Sequence, residues 1–266
     1  MLIRPLSFYI PGFFLLFTQT GFARQTEKPI GPVDFVRLSQ NFLYAAKTGE
    51  TTTAFQDSLE RIDESKLEDQ LNSDRKKTAF WLNLYNGFTQ VLLKKDPDQY
   101  KTRSAFFSSK QIKVAGQQLS LDEIEHSILR HSKIKWSEGY LGKPFPSAFE
   151  KKFRVKKLDY RIHFALNCGA KSCPPIAFYD PGQIDKQLAV AAKTYLKGEC
   201  EYDQDKNTVG VPALMGWFRH DFGGKKGIYK ILTQYKIIPA DSHPAIHFKK
   251  YDWALFLNNY KSESNG

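Results

Sequence analysis

The residues best suited to chemistry lie in one run, Arg161-Ile162-His163-Phe164-Ala165-Leu166-Asn167-Cys168-Gly169-Ala170-Lys171-Ser172-Cys173-Pro174-Pro175. A thiol on a tight, glycine-containing turn meets substrate readily, while its base can come from an adjacent element. Imidazole titrates close enough to neutrality to take a thiol proton, so His163 is the candidate base for Cys168. A nearby guanidinium favours the thiolate, which gives Arg161 a part. Backbone N–H groups of the Gly169–Ser172 turn are candidates for an oxyanion hole. The same residues also read as a half-buried histidine beside a cysteine that packs as a small hydrophobe.

Two other positions bear on this run. Glu125 falls on the apolar stripe of Leu121, Ile124 and Ile128, where a carboxylate is costly unless paired. It suits orienting an imidazole, with His126 beside it as a second candidate base. Alternatively it forms a buried structural ion pair, for which Arg161 is one partner. Asn83 and Asn86 stand within one turn of an aromatic-rich helix, although asparagine forms helices poorly. Their amides either orient a histidine, Asn86 being the candidate, or cap the backbone of a neighbouring loop. The His163-x4-Cys168-x4-Cys173 spacing matches no familiar zinc clip, so no metal is expected. Gly223-Gly224 lacks the pattern of a phosphate loop, and Ser172 lacks a nucleophile-elbow context. No cofactor is expected.

The elements that must position these groups follow from periodicity. Helical spacing runs over Val33–Tyr44 and again over Lys76–Leu93, which Asp96-Pro97 stops. Residues 111–118 suggest a hairpin leading into Ser120 and Glu123, a capping box that opens a helix to about His131. Residues 132–158 are expected to be an irregular connection. Alternation from Asp159 to Asn167 predicts a strand with Arg161 and His163 on one face. Beyond it come a helix over Ile184–Leu196, a strand over Thr208–Val211 and a helix started by Pro212. That helix carries Leu214, Trp217 and Phe218 and ends at Gly223-Gly224. A helix over Gly227–Tyr235 and a strand near Ile246–Phe248 complete the chain. The expected fold is α+β: a single domain over residues 33–260, helices packed on a small mixed or antiparallel sheet.

Residues 1–23 carry one charge, Arg4, then an apolar run from Leu6 to Phe17, then Gly21-Phe22-Ala23. This is the pattern of a cleaved signal peptide, too short for a membrane span, so export to the periplasm or the extracellular space is expected. Residues 24–32 are expected to be a flexible start and residues 261–266 a polar tail. Of 266 residues, 39 are Lys or Arg against 28 Asp or Glu, a formal charge of +11. The lysines are scattered as doublets and not gathered with glycines and aromatics on one element, which excludes a nucleic-acid partner. Weak contact with an anionic envelope surface remains an expectation. The three cysteines, Cys168, Cys173 and Cys200, cannot all pair within one chain.

Taken together, Phe80–Asn86 (FWLNLYN), Leu119–Arg130 (LSLDEIEHSILR), Arg161–Pro175, Met215–Gly224 (MGWFRHDFGG) and Lys249–Phe256 (KKYDWALF) resemble the family catalogued as domain of unknown function number 547. The resemblance spans roughly Val33 to Tyr260. Its pattern names Asn86, Glu125, His126, His163 and Cys168, and admits serine at Cys173, so it does not imply a Cys168–Cys173 disulfide. It implies no established activity. The leading expectation is a papain- or transglutaminase-like thiol hydrolase or acyltransferase acting on an unknown substrate. Cys168 is its nucleophile, His163 or His126 its base, and Glu125 or Asn86 the orienting group. The alternative is a non-enzymatic envelope protein with a structural or redox-active cysteine turn.

Overall fold

A computed structural model describes residues 33–261, and the expected signal peptide, the whole of the expected flexible start and residues 262–266 lie outside them. The fold is organised around one buried helix. Helix α1 (Phe35–Thr48) is followed by α2 (Thr53–Glu60), α3 (Glu64–Gln70) and α4 (Asp74–Lys95). Residues 78–90 of α4 are all buried, as expected of a helix whose apolar residues run round its whole circumference. Ser73 caps its start by accepting from the Lys76 N–H, and Asp96 before Pro97 closes it. Helix α1 lies close against α4, with the Phe42 and Phe88 rings 4.5 Å apart. Gly87 makes room for this, since a Cβ there would stand 2.5 Å from the Phe42 ring.

Helix α5 (Arg103–Ser108) leads to the expected hairpin, β1 (Ile112–Val114) paired antiparallel with β2 (Gln117–Leu119). The capping box is present: the Glu123 N–H donates to Ser120 Oγ and the Ser120 N–H to Glu123 Oε2. The helix it opens is not an α-helix for long. Residues Glu123–Leu129 form a π-helix, the Arg130 N–H reaching the Glu125 carbonyl at 2.8 Å. The connection after it is more ordered than expected, with a short 3-10 turn (Lys135–Ser137) and helix α6 (Ala148–Phe153) under its own capping box.

The expected strand from Asp159 to Asn167 is absent; Tyr160–Phe164 is a 3-10 turn. Asp159 accepts from the Arg161 N–H, and the N–H groups of Ala165 and Leu166 both reach the Ile162 carbonyl. The backbone is thereby satisfied locally and needs no sheet neighbour. Residues 162–166 are all buried, so the alternation did not mark two faces. Ile162 joins the apolar cluster around α4, and Phe164 joins a second cluster around the remaining elements.

Those elements are α7 (Ile184–Glu199), β3 (Glu201–Asp203), β4 (Thr208–Val211), α8 (Leu214–Trp217), α9 (Gly224–Gln234) and β5 (Ala245–Phe248). Strand β4 pairs antiparallel with β3 and parallel with β5, a mixed three-stranded sheet. The α+β class therefore holds among the described residues, with a two-stranded and a three-stranded sheet in a mainly helical body.

The two asparagines of α4 do the work of caps. Asn83 donates to the Tyr179 carbonyl and accepts from its N–H. Asn86 donates to the Ala165 carbonyl at 3.0 Å and accepts from the Asn167 N–H at 2.8 Å. Both side chains are fully buried. Asn86→Ala therefore leaves a buried carbonyl and a buried N–H without partners, each worth about 1–3 kcal/mol. Chemical denaturation should show Asn86→Ala less stable by about 2–5 kcal/mol, while an exposed α4 substitution such as Lys95→Ala changes little.

Candidate active site

Asn167 carries the support from α4 onward. Its amide donates to the Pro174 carbonyl and its Oδ1 accepts from the Gly169 N–H, so one side chain spans the cysteine turn. Gly169 adopts φ +84°, the left-handed conformation that glycine takes without strain. The turn brings the Cα atoms of Cys168 and Cys173 to 6.2 Å, and their sulfurs are joined in a disulfide. Cys168 is therefore not a thiol in this structure, a correction to the expected free nucleophile. The odd cysteine is Cys200, which burial pushes up to about 12, far from a reactive thiolate.

Three of the four N–H groups of the expected oxyanion hole are already engaged. The N–H groups of Gly169, Lys171 and Ser172 donate to Asn167 Oδ1, the Ala254 carbonyl and the Asp252 carbonyl. Two donors face the sulfurs: the Cys168 N–H, 3.0 Å from Cys173 Sγ, and the Tyr251 hydroxyl, 3.3 Å from Cys168 Sγ and 3.1 Å from Cys173 Sγ.

Cys168 lines a cavity of about 940 Å³ that it shares with Glu125, His126 and His163. The site residues named from the sequence are thus brought together, apart from Asn86, which lies beneath the turn and positions it. Arg161 is not among them. It forks onto Asp159 and reaches Asp185 at 2.9 Å, facing away, and so neither activates a thiol nor pairs with Glu125. The loss of the expected strand explains this, because a 3-10 turn does not put alternate residues on one face.

The residue that sequence reasoning missed is Asp221, in the loop after α8. Its Oδ2 accepts from Arg130 Nε at 2.7 Å and from His163 Nε2 at 2.9 Å, and both partners are buried. Arg130 Nη1 lies 3.0 Å from His126 Nδ1. A guanidinium only donates, so this imidazole nitrogen must be the acceptor, and the Nε2–H faces Asp122 at 3.5 Å. Glu125 accepts from the Tyr85 hydroxyl through Oε2 at 3.2 Å, while its Oε1 lies 3.7 Å from His126 Nδ1. The π-helix makes this arrangement: with hydrogen bonds closing over five residues, Glu125 and Arg130 lie one turn apart. Phe218 is held between Arg130, whose guanidinium stands 4.3 Å from the ring centroid, and His163, which stacks on the ring at 4.1 Å.

Charge balance fixes the protons. Burial opposes the ionised Asp221, but the hydrogen bonds from His163 and Arg130, with the Arg130 charge, outweigh it and hold the carboxyl below its ordinary range. Burial lowers His163, and the Arg130 charge adds to this against the pull of Asp221. Arg130 already neutralises the carboxylate, so His163 is the neutral imidazole, donating Nε2–H and leaving a lone pair on Nδ1. At the cavity edge Asp122 is likewise opposed by burial but held low by His126 and Lys135.

The walls are aromatic. Trp217 and Trp253 stack at 5.5 Å, with Tyr251 4.6 Å from Trp253. Among the described residues no three His, Cys, Asp or Glu side chains are grouped as a metal would require.

Compared with known proteins, residues 69–196 match the family model described as protein of unknown function, DUF547. No curated protein and no solved structure matches the chain. The matched span holds Asn86, Glu125, His126, Arg130, His163 and both bridged cysteines; Asp221 lies beyond it.

The lowered His163 sets a pH dependence of stability. In the unfolded chain histidine takes a proton near about pH 6.5, while folded His163 resists it to lower pH. The unfolded state then binds more protons, so stability falls as pH drops below about 6.5. Asp221 acts lower: its contribution is present above the unfolded carboxylate value and is lost as pH falls through its lowered folded value. Unfolding free energies at stepped pH should slope less steeply in His163→Gln than in the wild type between about pH 6.5 and 4.5.

Proposed function

This chain belongs to the DUF547 family, and from that premise we propose that its cavity is the active site of a thiol hydrolase or acyltransferase, with Cys168 as nucleophile once its bridge to Cys173 is opened. What carries the reading is the convergence of Cys168 and His163 on one cavity, with Asp221 holding His163 by Nε2–H. A nucleophile, a base and a group that orients the base are the parts of a catalytic triad, whatever the fold.

Opening the bridge takes a dithiol reductant, which supplies two electrons and two protons and is itself oxidised to a disulfide. Nδ1 of His163 then takes the Cys168 proton, and the thiolate attacks an acyl carbonyl. The Tyr251 hydroxyl is the donor for the charge that develops on the carbonyl oxygen. The leaving group departs with a proton, and water or an acceptor nucleophile releases the acyl group from sulfur. Glu125 and His126 face the cavity as the acid–base groups for that second half. The aromatic walls suit an acyl or aromatic substituent. Export, as read from residues 1–23, belongs to the same proposal: an oxidising compartment would keep the bridge closed until a dithiol partner arrives.

A second reading, a non-enzymatic envelope protein with a structural disulfide, draws on the bracing of the turn by Asn86 and Asn167. Acyl esters of p-nitrophenol separate the two. Reduced protein should cleave them with an acyl adduct on Cys168 visible by mass spectrometry. Cys168→Ala should abolish the adduct, and His163→Gln should slow its formation by about 10²–10⁴-fold. Reduced protein that forms no adduct, and whose Cys168 alkylates no faster than an ordinary exposed thiol, would favour the structural reading.

A further inference from the structure

The segment between the π-helix and α6 has exposed apolar side chains with no role in the core. Trp136 is 76% exposed and Phe145 88%, with Tyr140 and Leu141 exposed between them. They do not dangle. Lys133 and Gly142 form an antiparallel bridge, the Ile134 N–H donates to the Leu141 carbonyl, and the Ser137 hydroxyl donates to the Ile134 carbonyl. The tip of this hairpin rests on the charged centre: a Cβ on Gly139 would collide with Asp221 Oδ1, and Gly139 holds φ +90°. Phe145 is fixed between Pro144 and Pro146, whose rings restrict the backbone on both sides.

The surroundings are basic. Residues 132–157 contain eight Lys or Arg against two Glu. Lys143 and Lys135 are partly engaged by Glu150 and Asp122, whereas Lys151, Lys156 and Lys157 are exposed. Braced aromatic and aliphatic side chains set among lysines suit the boundary between lipid headgroups and acyl chains. The aromatics enter the interface while the lysines meet anionic headgroups. No helix among the described residues is long and apolar enough to cross a membrane.

We propose that the 132–146 hairpin docks the protein on an anionic lipid bilayer through Trp136, Tyr140, Leu141 and Phe145. Trp136 and Lys135 also line the cavity, so docking would set its mouth at the headgroup layer. The inference stands on the hairpin's exposure and charge and does not depend on the thiol chemistry proposed above.

The test uses the full chain and a reading local to the hairpin, because residues 1–23 are apolar but contain no tryptophan. Vesicles of phosphatidylglycerol with brominated acyl chains should quench wild-type tryptophan emission, and Trp136→Phe should lose most of that quenching. Phosphatidylcholine vesicles, or about 1 M salt, should remove it, since screening then acts within about 3 Å. The exposed double variant Trp136→Ser/Phe145→Ser should keep the wild-type melting temperature and sediment with anionic vesicles at least about tenfold more weakly. Equal quenching of wild type and Trp136→Phe would place any lipid contact elsewhere on the chain and overturn the proposal. An absence of quenching would do the same. So would a self-associated wild type that the double variant renders monomeric without lipid quenching, which would make the hairpin a contact between two copies.

Discussion

The carboxylate of Asp221 serves two buried partners at once, the Arg130 guanidinium and the His163 imidazole. Each comes from a different part of the chain, Arg130 from the end of the π-helix and His163 from the 3-10 turn. An uncompensated charge in such surroundings would cost several kcal/mol, so the three groups bind their elements to one geometry. Phe218 and the side-chain-free Gly139 close round the same centre. Removing Asp221 would strand a buried cation, and the cavity would lose the group that sets which nitrogen of His163 is free. The proposed chemistry and the orientation of the 132–146 hairpin both depend on this carboxylate.

The π-helix is the second constraint. Closing hydrogen bonds over five residues directs Glu125 towards Tyr85 while Arg130 turns to Asp221, with His126 between them. An α-helical course would set Glu125 and Arg130 well round the axis from one another. Widened helical turns of this kind recur at functional sites, because they trade regular packing for side-chain placement.

The fold was legible where apolar spacing was long and uninterrupted. Helices α1, α4, α7 and strand β4 fall close to their expected ranges, and the Ser120–Glu123 cap is formed as read. Short elements such as α2, α3 and α6 were not legible, since six to eight residues give too few repeats of a helical period. The strand expected over Asp159–Asn167 failed for a different reason. Apolar and polar residues alternate there, yet both sets are buried, and Asp159 caps a turn that satisfies the backbone without a neighbour. That error carried over to Arg161, which the strand would have placed beside His163. Glu125, His126, His163 and Cys168 were legible as a group through the family pattern, and they share one cavity. Asp221 was not, although its segment was part of the resemblance. Its partners stand 58 and 91 residues away, and no spacing rule connects them. The disulfide was left open by the sequence, where three cysteines allow several pairings.

The central claim is that Arg130 neutralises Asp221, which leaves His163 a neutral base with its lone pair on Nδ1. Nitrogen-15 NMR of the imidazoles, with His163 assigned by comparison with His163→Gln, reads this directly at neutral pH. The account requires a protonated Nε2 and an unprotonated Nδ1. An imidazolium, or a proton on Nδ1 with Nε2 bare, would contradict it.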